Sequence, residues 1–269
     1  MIIDFHTHIF PDKIAKRTVE ALSQGASIPP HSTGDFDGLI KSMEKNGIDF
    51  SVNLPVLTRA SQFESVTSFA KGINEKSYTG ARIISFAGMH PDTYDCEMAL
   101  YDIKEKGFLG IKLHPDYQNT YFDDKKYIRI LKIAKELDLI TLTHAGFDGA
   151  YVGQPIKCTP DRVARALDAI GGYDKLVLAH MGANELFDQF TDTLAGESLY
   201  IDTSYVLPFI GRDRFIEIME KHGADKILFA SDSPWQDQGK MVRILKSYVS
   251  ETEPLEKILY KNAKKLLML

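Results

Sequence analysis

The chain is 269 residues long and 44% hydrophobic, with a net charge of −5 at pH 7; this suits one well-packed α/β barrel acting on a small-molecule substrate, and with no block of like charges it argues against a nucleic-acid groove or a membrane-binding face. Cys96 and Cys158 are its only cysteines, too far apart for a Cys-x-x-Cys pair or a disulfide framework, and neither a secretion leader nor a membrane-length run is read, so a soluble cytoplasmic protein is expected. No linker divides the chain, residues 1–269 read as a single domain, and self-association into a homo-oligomer stays open.

Met1 to His8 reads as a short apolar strand closing on His6-Thr7-His8. Alternate strand residues share a face, so these histidines are expected side by side, roughly 6 to 7 Å apart at Cα, where two imidazoles can grip one divalent metal. Ordinary core or surface histidines produce the same pattern, and a lone His-x-His decides nothing. The spacing of Ile14, Ala15, Val19 and Leu22 predicts a helix over Lys13–Ser23. The Gly-, Pro- and Ser-containing stretch Gln24–Asp35 predicts an irregular loop, a candidate substrate loop, with His31 as an exposed loop histidine.

Helix and strand then alternate. Phe36–Lys45 is a predicted helix, Phe50–Leu54 a strand, Ser61–Lys76 a helix, and Arg82–Gly88 a third strand leading into His90-Pro91-Asp92. After a helix over Cys96–Lys106, the strand Gly110–Leu113 ends in His114-Pro115-Asp116 and echoes the previous unit. Asp124–Leu137 is strongly periodic, and Leu139–Thr143 is a fifth strand ending at His144. Thr159 and Pro160 predict an N-cap and first turn for a helix over Asp161–Ile170. Strands Leu176–Ala179, Leu199–Ile201 and Lys226–Ala230 end at His180, Asp202 and Ser231-Asp232, separated by a short helix from Asn184 and one over Arg214–Lys221. Helices over Met241–Val249 and Leu255–Leu267 finish the chain.

Eight apolar strands, each followed by helix, predict a parallel sheet covered on its faces, and the simplest closed form is a (β/α)8 TIM barrel. An open doubly wound sheet would usually carry a Gly-rich first turn, where this chain has His-Thr-His. In a barrel, reactive groups collect at the C-terminal strand ends. Six of the eight histidines fall there, together with Lys112, Asp202 and Asp232, and imidazole with carboxylate is the ligand set of zinc, manganese or iron.

Asp4-Phe5-His6-Thr7-His8, the strand-five His144, Ala179-His180-Met181-Gly182, Ala230-Ser231-Asp232-Ser233-Pro234 and the terminal Asn262-Ala263-Lys264-Lys265-Leu266-Leu267 together resemble the amidohydrolase superfamily, in its amidohydrolase-related branch of metal-dependent hydrolases and decarboxylases. The resemblance implies a divalent metal held by His6, His8, His144 and Asp232, with His180 close by to orient or deprotonate its water. Such an ion, zinc first and manganese or iron as alternatives, would bring the pKa of water towards about 7 and polarise a carbonyl. Asp232 or His180 would shuttle the proton, so both are catalytic candidates.

Lys112 and His114 share a face on strand four and are candidates for a second metal or for the substrate. For Lys112 the readings are an anionic substrate, a structural ion pair, an outward position, or, by the resemblance, a carboxylated lysine bridging two ions. His90 and His114, each before a proline, read as site wall or as hydrogen-bonding support for metal histidines, and Asp4 as structural support. Phe147, Tyr151 and Trp235 are placed where they wall a pocket or pack the rim. The expected activity is hydrolysis of a small amide, lactone or ester, with decarboxylation or hydration of an unsaturated or aromatic carboxylate as the alternative. A phosphoesterase with an N-terminal His-x-His and a barrel that merely binds a ligand are more distant readings.

Overall fold

The computed structural model describes residues 1–77 and 82–269. Within them the strands are β1 (Ile3–Thr7), β2 (Phe50–Asn53), β3 (Ile83–Ser85), β4 (Ala87–Gly88), β5 (Gly110–Leu113), β6 (Ile140–Thr143), β7 (Leu176–Leu178), β8 (Tyr200–Asp202) and β9 (Ile227–Leu228). Every neighbouring pair is parallel, in the orders β1-β2-β3 and β4 through β9. β3 and β4 are two halves of one stave interrupted at Phe86, whose N–H still donates to Asn53 O in β2 at 2.9 Å. The last stave returns to the first through Phe5 N to Phe229 O (2.9 Å), Asp232 N to His6 O (2.8 Å) and His8 N to Ser233 O (2.7 Å). Eight staves therefore close on themselves as the eight apolar runs predict, with Arg82–Gly88 corrected to a broken strand.

Two apolar layers follow from strand alternation. Ile3, Phe5, Val52, Leu54, Phe86, Leu142, Val177, Ala179 and Leu228 form the barrel interior, where Ala263, Leu266 and Leu267 of the last helix join them. Ile83, Ile111, Leu113, Leu176, Ile201 and Phe229 turn the other way, into a larger layer shared with the helices. On β5 the interior positions are Gly110 and Lys112. A Cβ on Gly110 would lie 2.5 Å from Ile140 O and 2.7 Å from the Phe86 ring, so only glycine admits that ring. On β1 strict alternation fails: a register shift lies between Asp4 and Thr7, and interior Phe5 is followed by His6 facing the mouth.

The helices keep their predicted places with small boundary changes. The first runs Asp12–Ala26, which shortens the following loop, and His31 N there donates to Pro234 O at 2.7 Å beside the end of the eighth stave. Asp35, Asp124 and Asp237 cap Phe36–Asn46, Lys125–Glu136 and Gln238–Tyr248 through backbone N–H groups. Thr159 occupies the cap position before Pro160–Ile170, but its side chain makes no capping bond, so Pro160 at the first turn and Gly171 at the end (φ 67°) bound that helix. Leu207–Ile210 is an additional short helix. Thr252–Glu256, a π turn over Lys257–Lys261 and Asn262–Leu267 replace the single terminal helix. No helix among the described residues is long and apolar enough to cross a membrane.

Candidate metal centre

His6, His8 and Asp232 bring three donor atoms together at the C-terminal mouth. His8 Nε2 lies 3.1 Å and His6 Nε2 3.5 Å from Asp232 Oδ1. The opposite ring nitrogens locate the protons: His6 Nδ1 is 2.8 Å from Asp202 Oδ2, and His8 Nδ1 is 2.9 Å from the Leu54 carbonyl oxygen. Both partners only accept, so each ring carries a proton on Nδ1, and with both rings neutral, as metal binding requires, the Nε2 lone pairs turn towards Asp232. Two lone pairs and a carboxylate oxygen facing one another repel, and a cation between them removes the repulsion. Their separations approach the roughly 3.3 to 3.6 Å expected between ligand atoms of a tetrahedral zinc ion, so the donor set fits a divalent metal.

The electrostatics favour a positive charge at this point. Burial and the Lys112 ammonium hold His6 well below the usual imidazole range. Burial works to raise the Asp232 carboxyl, but positive charge on His6 and His8 and a hydrogen bond from His8 lower it to about 2, a pull that a cation held between these groups would supply when the rings are neutral. Asp232 sits in left-handed backbone (φ 69°), as does His180 (φ 63°), conformations that cost about 1–3 kcal/mol each in non-glycine residues and persist where surrounding bonds demand them. Those bonds are Asp232 N to His6 O at 2.8 Å and His180 N to Asp202 Oδ1 at 3.0 Å. Asp4 moors the neighbouring residue, accepting from Ser231 N (2.8 Å), Ser231 Oγ and Gln238 Nε2 (2.7 Å), which is the supporting place expected of it.

Lys112 points inward. Its ammonium lies 3.2 Å from His6 Nε2, donating to the lone pair that a metal would use, and burial lowers it to about 8 against the pull of Asp202 and Asp232. The outward-facing reading of this lysine is thereby excluded.

A chain of histidines continues across the mouth. His180 Nδ1 lies 3.1 Å from Ser204 O and 3.0 Å from Ser204 Oγ, and its Nε2 is 3.0 Å from His144 Nδ1. The carbonyl fixes the proton on His180 Nδ1; His180 Nε2 then accepts from His144 Nδ1–H, and His144 Nε2 is left as a buried lone pair with no hydrogen-bond partner. Burial holds both rings neutral, at about 4 and about 3.

His144 also lies near His114 and Asp148, with His114 Nε2 3.4 Å from Asp148 Oδ2. Proximity alone would make these three a second cation site, but the His114 and His144 rings are stacked with planes only 11° apart. An imidazole binds a metal in its ring plane, and two stacked planes have no common position for one ion. Tyr117 N also donates to His114 Nδ1 at 3.4 Å, which puts the ring proton on Nε2 facing Asp148. His114 and Asp148 are therefore an imidazole–carboxylate pair at the pocket wall, 3.4 Å apart.

Of the residues singled out from sequence, His6, His8, Asp232 and Lys112 converge at one point, and His144 with His180 lies alongside as a hydrogen-bonded pair. His114 stands with Asp148 instead. His90 is buried but turned to its own loop, accepting from Asp92 N, and Tyr151 packs edge-on against Tyr117. Sequence reasoning missed Asp148, Tyr117 and the reach of Asp202. Asp148, four residues beyond His144, is the one that the strand-end rule could have found by extension into the next loop.

Residues 3–269 match the family model described as Amidohydrolase. Three solved structures share the fold. A TIM-barrel protein from Bordetella bronchiseptica is 15% identical, with TM-score 0.74, 99% of this chain covered and 98% of that one. A dihydroxybenzoic acid decarboxylase from a Polaromonas species, with bound manganese and an inhibitor, is 18% identical, with TM-score 0.70 and 100% and 97% coverage. A probable 2-pyrone-4,6-dicarboxylic acid hydrolase from Acinetobacter baumannii, with citric acid bound, is 16% identical, with TM-score 0.69 and 100% and 99% coverage. No curated protein matches the sequence.

Proposed function

Since the chain belongs to the amidohydrolase family, we propose that it is a metal-dependent hydrolase acting on a small amide, lactone or ester. The observation that carries this reading is the convergence of His6 Nε2 and His8 Nε2 on Asp232 Oδ1. These three side chains would hold one divalent ion, zinc first and manganese or iron as alternatives; His144, whose free Nε2 lies across the mouth, would be the fourth ligand. The ion would lower the pKa of water and polarise the scissile carbonyl. As a water oxygen bonds to the carbonyl carbon and the bond to the leaving atom breaks, Asp232 takes the water proton and passes it to that atom. His180 orients His144, because its Nε2 is engaged by that ring. The two cysteines are buried free thiols, which suits the reducing cytoplasm.

A second reading is decarboxylation of an aromatic carboxylate at the same site. It is favoured by the aromatic wall: Tyr117 meets His114 edge-on at 4.3 Å and Tyr151 at 5.5 Å, and Tyr205 meets His180 at 6.3 Å. Such a wall suits a flat ring. The test is elemental analysis of the full chain purified without chelator, followed by assay of the metal-loaded protein on lactone, ester and amide panels and for carbon dioxide release from aromatic acids. Bound metal with hydrolysis supports the first reading, and carbon dioxide release moves the assignment to the second. A chain that holds no metal and takes none up overturns both.

A further inference from the structure

We infer that Asp202 is the positioning residue that decides whether His6 can bind a metal, by holding the His6 proton on Nδ1. The two carboxylate oxygens are used asymmetrically. Oδ1 accepts from three donors fixed by the backbone after β7 and β8, namely His180 N (3.0 Å), Ser204 N (3.0 Å) and Ser204 Oγ. Oδ2 faces His6 Nδ1 at 2.8 Å. All of these groups are buried, Asp202 completely, so water cannot substitute for a lost partner.

This asymmetry makes the isosteric amide worse than a truncation. In Asp202→Asn the three donors claim the one remaining acceptor oxygen, and the amide NH2 is left facing His6 Nδ1. A donor there drives the His6 proton to Nε2, the atom that points at Asp232. The Lys112 ammonium, donating to Nε2, resists that shift in the metal-free protein, but it has to leave Nε2 before any cation binds, and Asp202 then acts alone. In Asp202→Ala nothing faces Nδ1, and His6 remains free to choose the binding tautomer. His8 takes its proton position from the Leu54 carbonyl and is unaffected by either change.

The inference rests on the metal reading, and the experiment separates the two. Nitrogen-15 correlation spectra of the metal-free full chain, labelled at histidine, report each tautomer directly. Wild type is expected to show His6 and His8 protonated at Nδ1, and Asp202→Asn combined with Lys112→Met, which removes the donor at Nε2, to show the Nε2-protonated form at His6 alone, with Lys112→Met by itself keeping the Nδ1 form. Zinc titration by calorimetry is expected to give Asp202→Asn affinity reduced about 100-fold, with a smaller loss in Asp202→Ala. Wild-type His6 protonated at Nε2, or an alanine variant weaker than the asparagine variant when thermal melts show both folded, overturns the role of Asp202. Correct tautomers in a wild-type protein that binds no zinc leave that role standing and overturn the metal reading instead.

Discussion

His114 lies face to face on His144, ring centroids 4.4 Å apart and planes 11° from parallel. His144 therefore offers its Nε2 towards the mouth while His114, beside Asp148, covers its face. Metal binding should respond unequally to the two histidines. His144→Ala is expected to weaken zinc binding by 10-fold or more in a calorimetric titration, and His114→Ala to leave stoichiometry unchanged and affinity within a few-fold. Equal losses would mean that the stack opens when metal enters.

The mooring of Asp232 through Asp4 predicts a stability effect at a residue that touches no metal. Asp4 accepts from two groups of Ser231 and from Gln238, with no exposed surface of its own. An amide in its place turns a donor against donors, so Asp4→Asn should lose roughly 1–3 kcal/mol at pH 7 by urea denaturation. Because Ser231 adjoins Asp232, zinc affinity should fall as well, and full retention of both would show that Gln238 re-orients to compensate.

Acid stability should depend on a histidine far from the mouth. His222 ends the helix Arg212–His222, accepts from Gly196 N at 3.2 Å, and is lowered by burial to about 4. An imidazole whose folded pKa lies below its unfolded value of 6.5 leaves the unfolded chain with more protons between those limits. Stability is therefore lost as pH falls from 6.5 towards 4, by up to roughly 3 kcal/mol for this group. His222→Asn keeps an acceptor for Gly196 and does not titrate. Its denaturation profile should match wild type near pH 7 and fall less steeply below pH 6.5; parallel profiles would refute the assignment.

The staves and their polar ends were legible because each is a short apolar run and all but Phe50–Leu54 lead into a histidine or aspartate, and closure brings such ends together whatever the loops do. His6, His8 and Asp232 could be grouped for that reason. The role of Asp202 could not, because its partners lie on the first stave and beyond the seventh, and nothing local distinguishes it from any strand-end aspartate. Asp148 looks like an ordinary loop residue until His114 is placed against it. The break at Phe86 is equally invisible, since the residues around it keep strand character. The short helix Leu207–Ile210 gives no periodic signal, four residues being too few, and its Pro208 is tolerated because it lies near the helix start.

Lys112 supplies the test between a lysine that competes with the metal and one that helps to bind it. Its folded value of about 8 lies below the unfolded 10.5, so the unfolded chain binds the extra proton between those limits. The resulting destabilisation is complete below pH 8, of order 3 kcal/mol, and is relieved as pH rises towards 10.5. Lys112→Met keeps an apolar stem without the charge. If the ammonium only occupies the His6 lone pair, this variant should be more stable than wild type at pH 7 and bind the first zinc ion more tightly there, with the gain shrinking above pH 8 as the wild-type amine becomes neutral. If Lys112 instead bridges two ions as a carbamate, wild type should bind two zinc ions in bicarbonate buffer and Lys112→Met one or none. Calorimetric stoichiometry at pH 7 and pH 9 separates these outcomes, because competition alters affinity at constant stoichiometry and a bridge alters the stoichiometry itself.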